Sequence, residues 1–252
     1  MDTRPEAAAD LSDAALQALP SPAANAPSYL IQNAPLAALT REYLAALLDG
    51  DRRQASTRIL DAVASGVPVK DIYLHVFQRA QYEVGRLWQI QKISVAQEHY
   101  CTAATQLIMS QLYPHIFAAA STGGTLVATC VSGDMHEIGV RMVADFFEME
   151  GWNTYYLGAN TPTDNVVGAL IERKADILAI SATISRHVRA VSALITAVRA
   201  NEVCRHVTIL VGGYPFVATP DLWRQVGADG TAADAQAAIV LANQFREKRP
   251  PS

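Results

Sequence analysis

Asp134 and His136 have the clearest chemical potential in this sequence. They stand two positions apart in Ser132-Gly133-Asp134-Met135-His136-Glu137-Ile138-Gly139. A carboxylate so placed can accept a hydrogen bond from one imidazole nitrogen. That bond fixes the tautomer and leaves the lone pair of the other nitrogen for a metal. One histidine is too little for structural zinc, which takes four protein ligands. It suits a metal that is already held in a macrocycle and needs one axial ligand. Further along stand the small hydroxyls Ser181, Thr183 and Ser185, and then the pair Gly212-Gly213. A phosphate site is the rival reading, but the loop has neither the dinucleotide glycine fingerprint nor a P-loop. A second group, Trp88, Glu98 and His99, offers a flat apolar ring and polar groups able to hydrogen-bond a ligand. Its alternative is a core tryptophan with Glu98 serving a helix dipole.

The elements that must position these residues follow from periodicity. An apolar, β-branched run over 125–131 precedes the histidine loop, and an amphipathic run over 140–149 follows it. The loop therefore joins a strand to a helix. Further strands are predicted over 153–157, 176–181 and 208–211, with a weak fifth over 228–231. Helices are predicted over 137–150, 164–173, 186–200, 220–226 and 233–248. Runs such as Ile177-Leu178-Ala179-Ile180 are continuously apolar, as a parallel sheet buried on both faces requires. The pattern is a doubly wound α/β domain, and its ligand should sit at the carboxyl ends of the strands. His136, Ser181, Thr183, Ser185, Gly212 and Gly213 all fall there.

Upstream, from Leu36 to about 120, the spacing predicts four helices with short connections, hence an antiparallel bundle. Asp51 can cap the second helix, Pro68 opens the third, and Ser94 with Gln97 reads as a capping box for the fourth. The fourth should end or kink at Pro114. Trp88 closes the third helix and Glu98-His99 open the fourth, so all three belong to one end of the bundle. Residues 1–34, rich in Ala, Pro and Ser, read as a flexible tail with one short helix around 11–19. The organisation expected is a tail over 1–34, a four-helix bundle over 35–120 and an α/β domain over 121–248.

Composition narrows the class. The chain has 252 residues, 50% hydrophobic and 17% charged, with a net charge of −4. That places it among globular proteins and gives no electrostatic support to direct DNA binding. No apolar run reaches the roughly 18 residues of a membrane span, so a cytoplasmic location is expected. Cys101, Cys130 and Cys204 show no disulfide or zinc spacing and read as buried small hydrophobes.

Taken together, Asp134-x-His136-x-x-Gly139, 41 residues, Ser181-x-Thr183, 28 residues and Gly212-Gly213 resemble the cobalamin-binding signature. That signature belongs to methionine synthase, the carbon-skeleton mutases and the corrinoid proteins of methyltransferase systems. Thr183 replaces the usual Leu. The resemblance implies a Rossmann-like, flavodoxin-like domain that binds cobalamin base-off. His136 would be the lower axial ligand to cobalt, tuned by Asp134. The loop residues Met135, Glu137, Ile138 and Gly139 would contact the cofactor. The nucleotide tail would enter a slot lined by Ser181, Thr183, Ser185, Gly212 and Gly213. In methionine synthase a serine completes the relay to the histidine, and spacing places His187 there.

The bundle adds a second resemblance. Trp88, nine residues, then Glu98-His99 is similar to the Trp-x9-Glu-His motif of light-sensing cobalamin proteins of the CarH and AerR types. This resemblance spans about residues 36 to 246. It implies that Trp88 caps the adenosyl group of adenosylcobalamin, with Glu98 and His99 enclosing it. Methylcobalamin and hydroxocobalamin remain alternatives. Light would break the cobalt–carbon bond and move the bundle. The CarH-type DNA-binding domain is missing from this pattern, so the signal would pass to a transcriptional or signalling partner, with a light-dependent homo-oligomer as a further option. Gln89 stands where CarH has a histidine, so either His99 or water takes the upper cobalt position after photolysis. The chain would then be a regulator rather than an enzyme. The alternative is a corrinoid shuttle protein whose partner is a methyltransferase.

Overall fold

The fold is described from a computed structural model covering residues 12–20, 27–117 and 119–247. It divides into two compact units. One comprises the described residues 27–117, and the other comprises 12–20 together with 119–247. The short helix α1 (Asp13–Ala18) thus clusters with the α/β unit.

The helical unit is built as its sequence dictates. α2 (Ala37–Leu48) and α3 (Arg52–Ala64) are joined by a turn in which Asp51 accepts a hydrogen bond from the amide of Gln54 at 2.9 Å. α4 (Val69–Asp71) runs into a π-helical stretch, Ile72–Phe77, and then α5 (Gln78–Gln89). A π-helical turn misaligns carbonyls from the usual ladder. The buried Thr40 hydroxyl lies 2.8 Å from one of these, the carbonyl of His75. α6 (Val95–Gln111) opens with the full Ser94–Gln97 capping box. It stops before α7 (Tyr113–Ile116), where Pro114 starts the new helix. In the core Phe77 packs against a tilted Tyr43 and an edge-on Tyr73, with centroids 5.5 and 5.3 Å apart. Burying each such ring contributes roughly 1.5–3 kcal/mol. The Tyr43 hydroxyl is satisfied by Thr105 at 2.8 Å, and Gln81 also donates to Thr105 at 2.7 Å. This polar knot ties α2, α5 and α6 together.

The α/β unit is a five-stranded, all-parallel sheet in the order β2-β1-β3-β4-β5. Its strands are β1 (Thr125–Val131), β2 (Asn153–Thr161), β3 (Ile177–Ser181), β4 (Thr208–Gly212) and β5 (Gly230–Thr231). β1 lies between β2 and β3 and is almost wholly buried. α8 (Ile138–Met149) packs beside α13 (Ala235–Glu247), and α9 (Thr163–Arg173) beside α10 (Val188–Ala200). Both faces of the sheet are therefore covered, which is the doubly wound arrangement read from the apolar strands.

Three local differences from the expected elements have physical causes. β2 extends past 157 to Thr161, because register shifts opposite Ala128, Thr129 and Val131 let it continue through bulges at which Gly158 takes φ +79°. The helix expected from 186 begins as a 3-10 turn, Ser185–His187. The helix expected over 220–226 is present as the short α12 (Leu222–Gln225), and a further short helix, α11 (Tyr214–Ala218), precedes it, set apart by Pro220 and the left-handed Asp221.

Gly213 is required by its backbone. It sits at φ +102°, and a β-carbon there would lie 2.0 Å from the carbonyl oxygen of Ala182. Gly213→Ala should cost more than about 2 kcal/mol of unfolding free energy, measured by urea denaturation. Gly168→Ala, at a helical position with open space around it, should not destabilise.

Candidate metal-ligand site

The site is assembled by four loops at the carboxyl edge of the sheet. β1 delivers the loop containing Asp134 and His136. Asp134 is fully buried. Its Oδ1 accepts from the His136 amide at 3.0 Å and from His136 Nδ1 at 2.7 Å. Its Oδ2 accepts from the Thr183 amide at 2.9 Å. His187 Nδ1 lies 3.2 Å from the same Oδ2, close enough for electrostatic attraction but not aligned as a hydrogen bond. Arg186 Nε donates to His187 Nε2 at 3.3 Å. That assigns the His187 proton to Nδ1, facing the carboxylate.

Burial by itself would raise the Asp134 carboxyl. The hydrogen bonds from the His136 ring and amide and from the Thr183 amide outweigh it, so the group is held well below the usual carboxylate range. Asp134 is therefore an anion, and an anion accepting from Nδ1 places the lone pair of a neutral imidazole on Nε2. The His136 side chain is 52% exposed, so this ring is presented rather than packed.

The histidine loop is secured from two further directions. Asn160, held at φ +52° beyond the β2 bulge, accepts from the Gly133 amide through its side chain at 2.8 Å. Its own amide donates to the Asp134 carbonyl at 3.0 Å. Glu137 accepts from the Tyr156 hydroxyl and the Ala159 amide, each at 3.0 Å. Burial, and then the negative charge of Glu137, push the Tyr156 phenol up, so it remains a donor. Beneath the loop the buried Cys130 thiol lies 3.5 Å from the His136 carbonyl, and burial likewise pushes that thiol up. Met135 is exposed, while Ile138 and Gly139 begin α8.

The structure brings Cys130, Ser181 and Gly212 into one row across β1, β3 and β4. Gly213 follows immediately, and Thr183 lies against Asp134. Ser185 is turned elsewhere, with its hydroxyl 3.3 Å from the Pro20 carbonyl. In the helical unit, Glu98 and His99 form a pair at 2.6 Å on the first turns of α6, and Thr102 lies 3.1 Å from Glu98. Trp88, at the end of α5, is 46% exposed, which is not the environment of a core tryptophan. Among the described residues, no three His, Cys, Asp or Glu side chains cluster to hold a bare metal ion. Nor is any helix long and apolar enough to cross a membrane. Sequence reasoning missed Tyr156 and Asn160, whose signal was the Gly158-Ala159-Asn160 interruption at the end of β2. It left the role of His187 open.

Residues 124–240 match the model of the B12 binding domain, and residues 39–113 match a second B12 binding domain model. The chain thus carries a cobalamin-binding domain pair, a helical cap followed by the Rossmann-like domain. A corrinoid protein of Desulfitobacterium hafniense is 26% identical over 215 residues, 83% of this chain and 98% of that protein. The transcriptional repressor CarA of Myxococcus xanthus is 31% identical over 123 residues, 48% of this chain and 41% of the repressor. A dimethylamine corrinoid protein of Methanosarcina barkeri is 28% identical over 128 residues, 51% of this chain and 59% of that protein. The monomethylamine corrinoid protein of the same organism shares the fold, with a TM-score of 0.73 at 22% identity, covering 83% of this chain and all of that one. These matches support cobalamin binding.

Replacing one Asp134 oxygen by an amide nitrogen would set N–H against N–H. Asp134→Asn should therefore lower the unfolding free energy of the cofactor-free protein by about 2 kcal/mol at neutral pH. The folded-state carboxyl is depressed, so its stabilisation is complete above the unfolded-state value of about 3.9. It is lost as pH falls towards the folded-state value. The gap between parent and variant in urea titrations should therefore begin to narrow below about pH 4 and shrink further as pH falls.

Proposed function

We propose that this chain is a corrinoid carrier. In this reading His136 is the lower axial ligand to the cobalt of cobalamin, and the chain works with a protein partner of the methyltransferase kind. The observation that carries the cofactor half is the 2.7 Å bond from His136 Nδ1 to the buried Asp134. It orients a half-exposed ring, and it makes Nε2 a strong donor atom because the hydrogen-bonded anion raises imidazole basicity. The partner half is supported by the corrinoid protein matched over 98% of its length. Asp134 and Glu137 hold the loop, and Gly212 ends β4 beside Ser181 without a side chain. Bound there, cobalamin supplies a cobalt–carbon bond, which can pass a methyl group to a partner or be broken by light.

His136→Ala should lower urea stability by about 1–3 kcal/mol, since it takes the ring donor away from the buried Asp134 carboxylate, while leaving the chain folded. It should abolish the absorption signature of histidine-ligated, base-off cobalamin on reconstitution with hydroxocobalamin or methylcobalamin. An unchanged spectrum would refute the assignment of His136.

A second reading rests on a specific observation, the exposed Trp88 together with the Glu98–His99 pair. In that reading Trp88, Glu98 and His99 respond to the upper ligand of adenosylcobalamin. The chain is then a light-responsive regulator of a transcriptional or signalling partner, with His99 or water at the upper position afterwards. The partial match to a transcriptional repressor is in keeping with it. Spectra and sizing profiles of the adenosylcobalamin-loaded protein, in darkness and after green light, separate the two. The carrier exchanges methyl groups with a methyltransferase and shows no light-dependent change in size. The regulator changes size or partner binding on illumination. For the regulator, Trp88→Ala should reduce the preference for adenosylcobalamin over methylcobalamin by roughly tenfold, in keeping with the loss of one aromatic contact.

A further inference from the structure

We infer that the N-terminal segment Asp13–Pro20 is an intramolecular brace on the loop that holds Asp134, and so a positioning element for His136. This inference rests on the reading of His136 given above. Three observations carry it. First, α1 does not stand apart from the α/β unit. Leu16 is only 8% exposed and is part of the apolar cluster that includes Val131, Ala182 and Val188, and Leu19 packs against that cluster. Second, α1 lies against the 3-10 turn Ser185–His187. The Ser185 hydroxyl is 3.3 Å from the Pro20 carbonyl, so the brace is attached at Pro20 as well as at Leu16 and Leu19. Third, this turn belongs to the loop that supplies both groups facing Asp134 Oδ2, the Thr183 amide and the His187 ring.

The chain of contacts is therefore short. Leu16 belongs to the apolar cluster that also holds Ala182 and Val188, the residues bracketing the loop. The loop positions Thr183 and His187 against Oδ2, and Oδ1 holds His136. A six-residue helix has little stability of its own. Its persistence depends on the burial of Leu16 and Leu19, and the loop gains order in return. Residues 182–187 contain one 3-10 turn and otherwise lack regular structure. A loop of that kind opens locally far more readily than the strands beside it.

The test uses the full chain with Leu16→Asp, which places a charge in the apolar cluster, and Leu16→Ala as a milder variant. Hydrogen exchange is followed in the cofactor-free protein at the amides of Thr183 and His136, both of which donate to Asp134. The strand amides of Leu178 and Leu210 are the reference. Leu16→Asp should raise exchange at Thr183 and His136 on the order of tenfold, while the strand amides stay protected. Leu16→Ala should give a smaller rise in the same direction. Unchanged protection at Thr183 and His136 in both variants, with strands intact, overturns the brace. Equal loss of protection at Leu178 and Leu210 also overturns it, because Leu16 would then be a general core residue. A parallel titration with hydroxocobalamin keeps the two readings distinct. If exchange rises as expected but the parent shows no histidine-ligated spectrum, the brace stands and the axial role of His136 fails.

Discussion

Asp134 is a carboxylate with no access to water, and the site follows from how that charge is tolerated. An isolated anion in such a place would simply protonate. Here the amide and ring of His136 satisfy one oxygen, while the Thr183 amide satisfies the other and the His187 ring lies near it. These groups come from two loops after two different strands. The charge can persist only when β1 and β3 are in register and both loops have closed. Fold and site are thus coupled through one side chain, and the imidazole that results is oriented before any ligand arrives.

The rest of the carboxyl edge is arranged to keep that loop in place. The bulged end of β2 exists at the cost of regular pairing, yet it aims Asn160 and the Ala159 amide at the histidine loop and brings Tyr156 to Glu137. Gly213 permits the chain to pass against the Ala182 carbonyl just before the Thr183 loop. None of these groups would bind a metal. Their effect is to remove conformational freedom from the loop that does the presenting, which is how a surrounding shell sets the strength of a ligand.

The helical unit follows a different logic. Its interior is fixed by the aromatic core and the Tyr43–Thr105–Gln81 knot, and these leave the end carrying Trp88, Glu98 and His99 less buried than the middle. An exposed tryptophan at the end of α5 and a carboxylate–imidazole pair at the start of α6 offer groups able to recognise a ligand. The two families the chain resembles would use those groups differently. The relatives support a corrinoid-binding protein, and the more detailed choice between carrier and regulator depends on these three residues rather than on the histidine loop.

Much of this was legible in the sequence, because the underlying signals are local. Continuous apolar strands announce a parallel sheet, the Ser94–Gln97 box announces a helix start, and Asp134-x-His136 announces an oriented imidazole. Each depends on spacing alone. What the sequence could not disclose were contacts between residues distant along the chain. His187 lies 53 positions beyond Asp134, and only the closing of β3 beside β1 brings it to the carboxylate. Asn160 and the Ala159 amide depend on register shifts that no alternation pattern encodes. The N-terminal helix read as part of a tail because its composition is poor in large apolar residues, yet Leu16 is buried against a loop about 170 residues away. The sequence determined the element types and the ligand-competent histidine, since those follow from short-range periodicity and side-chain chemistry. Tertiary structure alone decided which groups share the buried charge, because that depends on which loops the folded sheet places side by side.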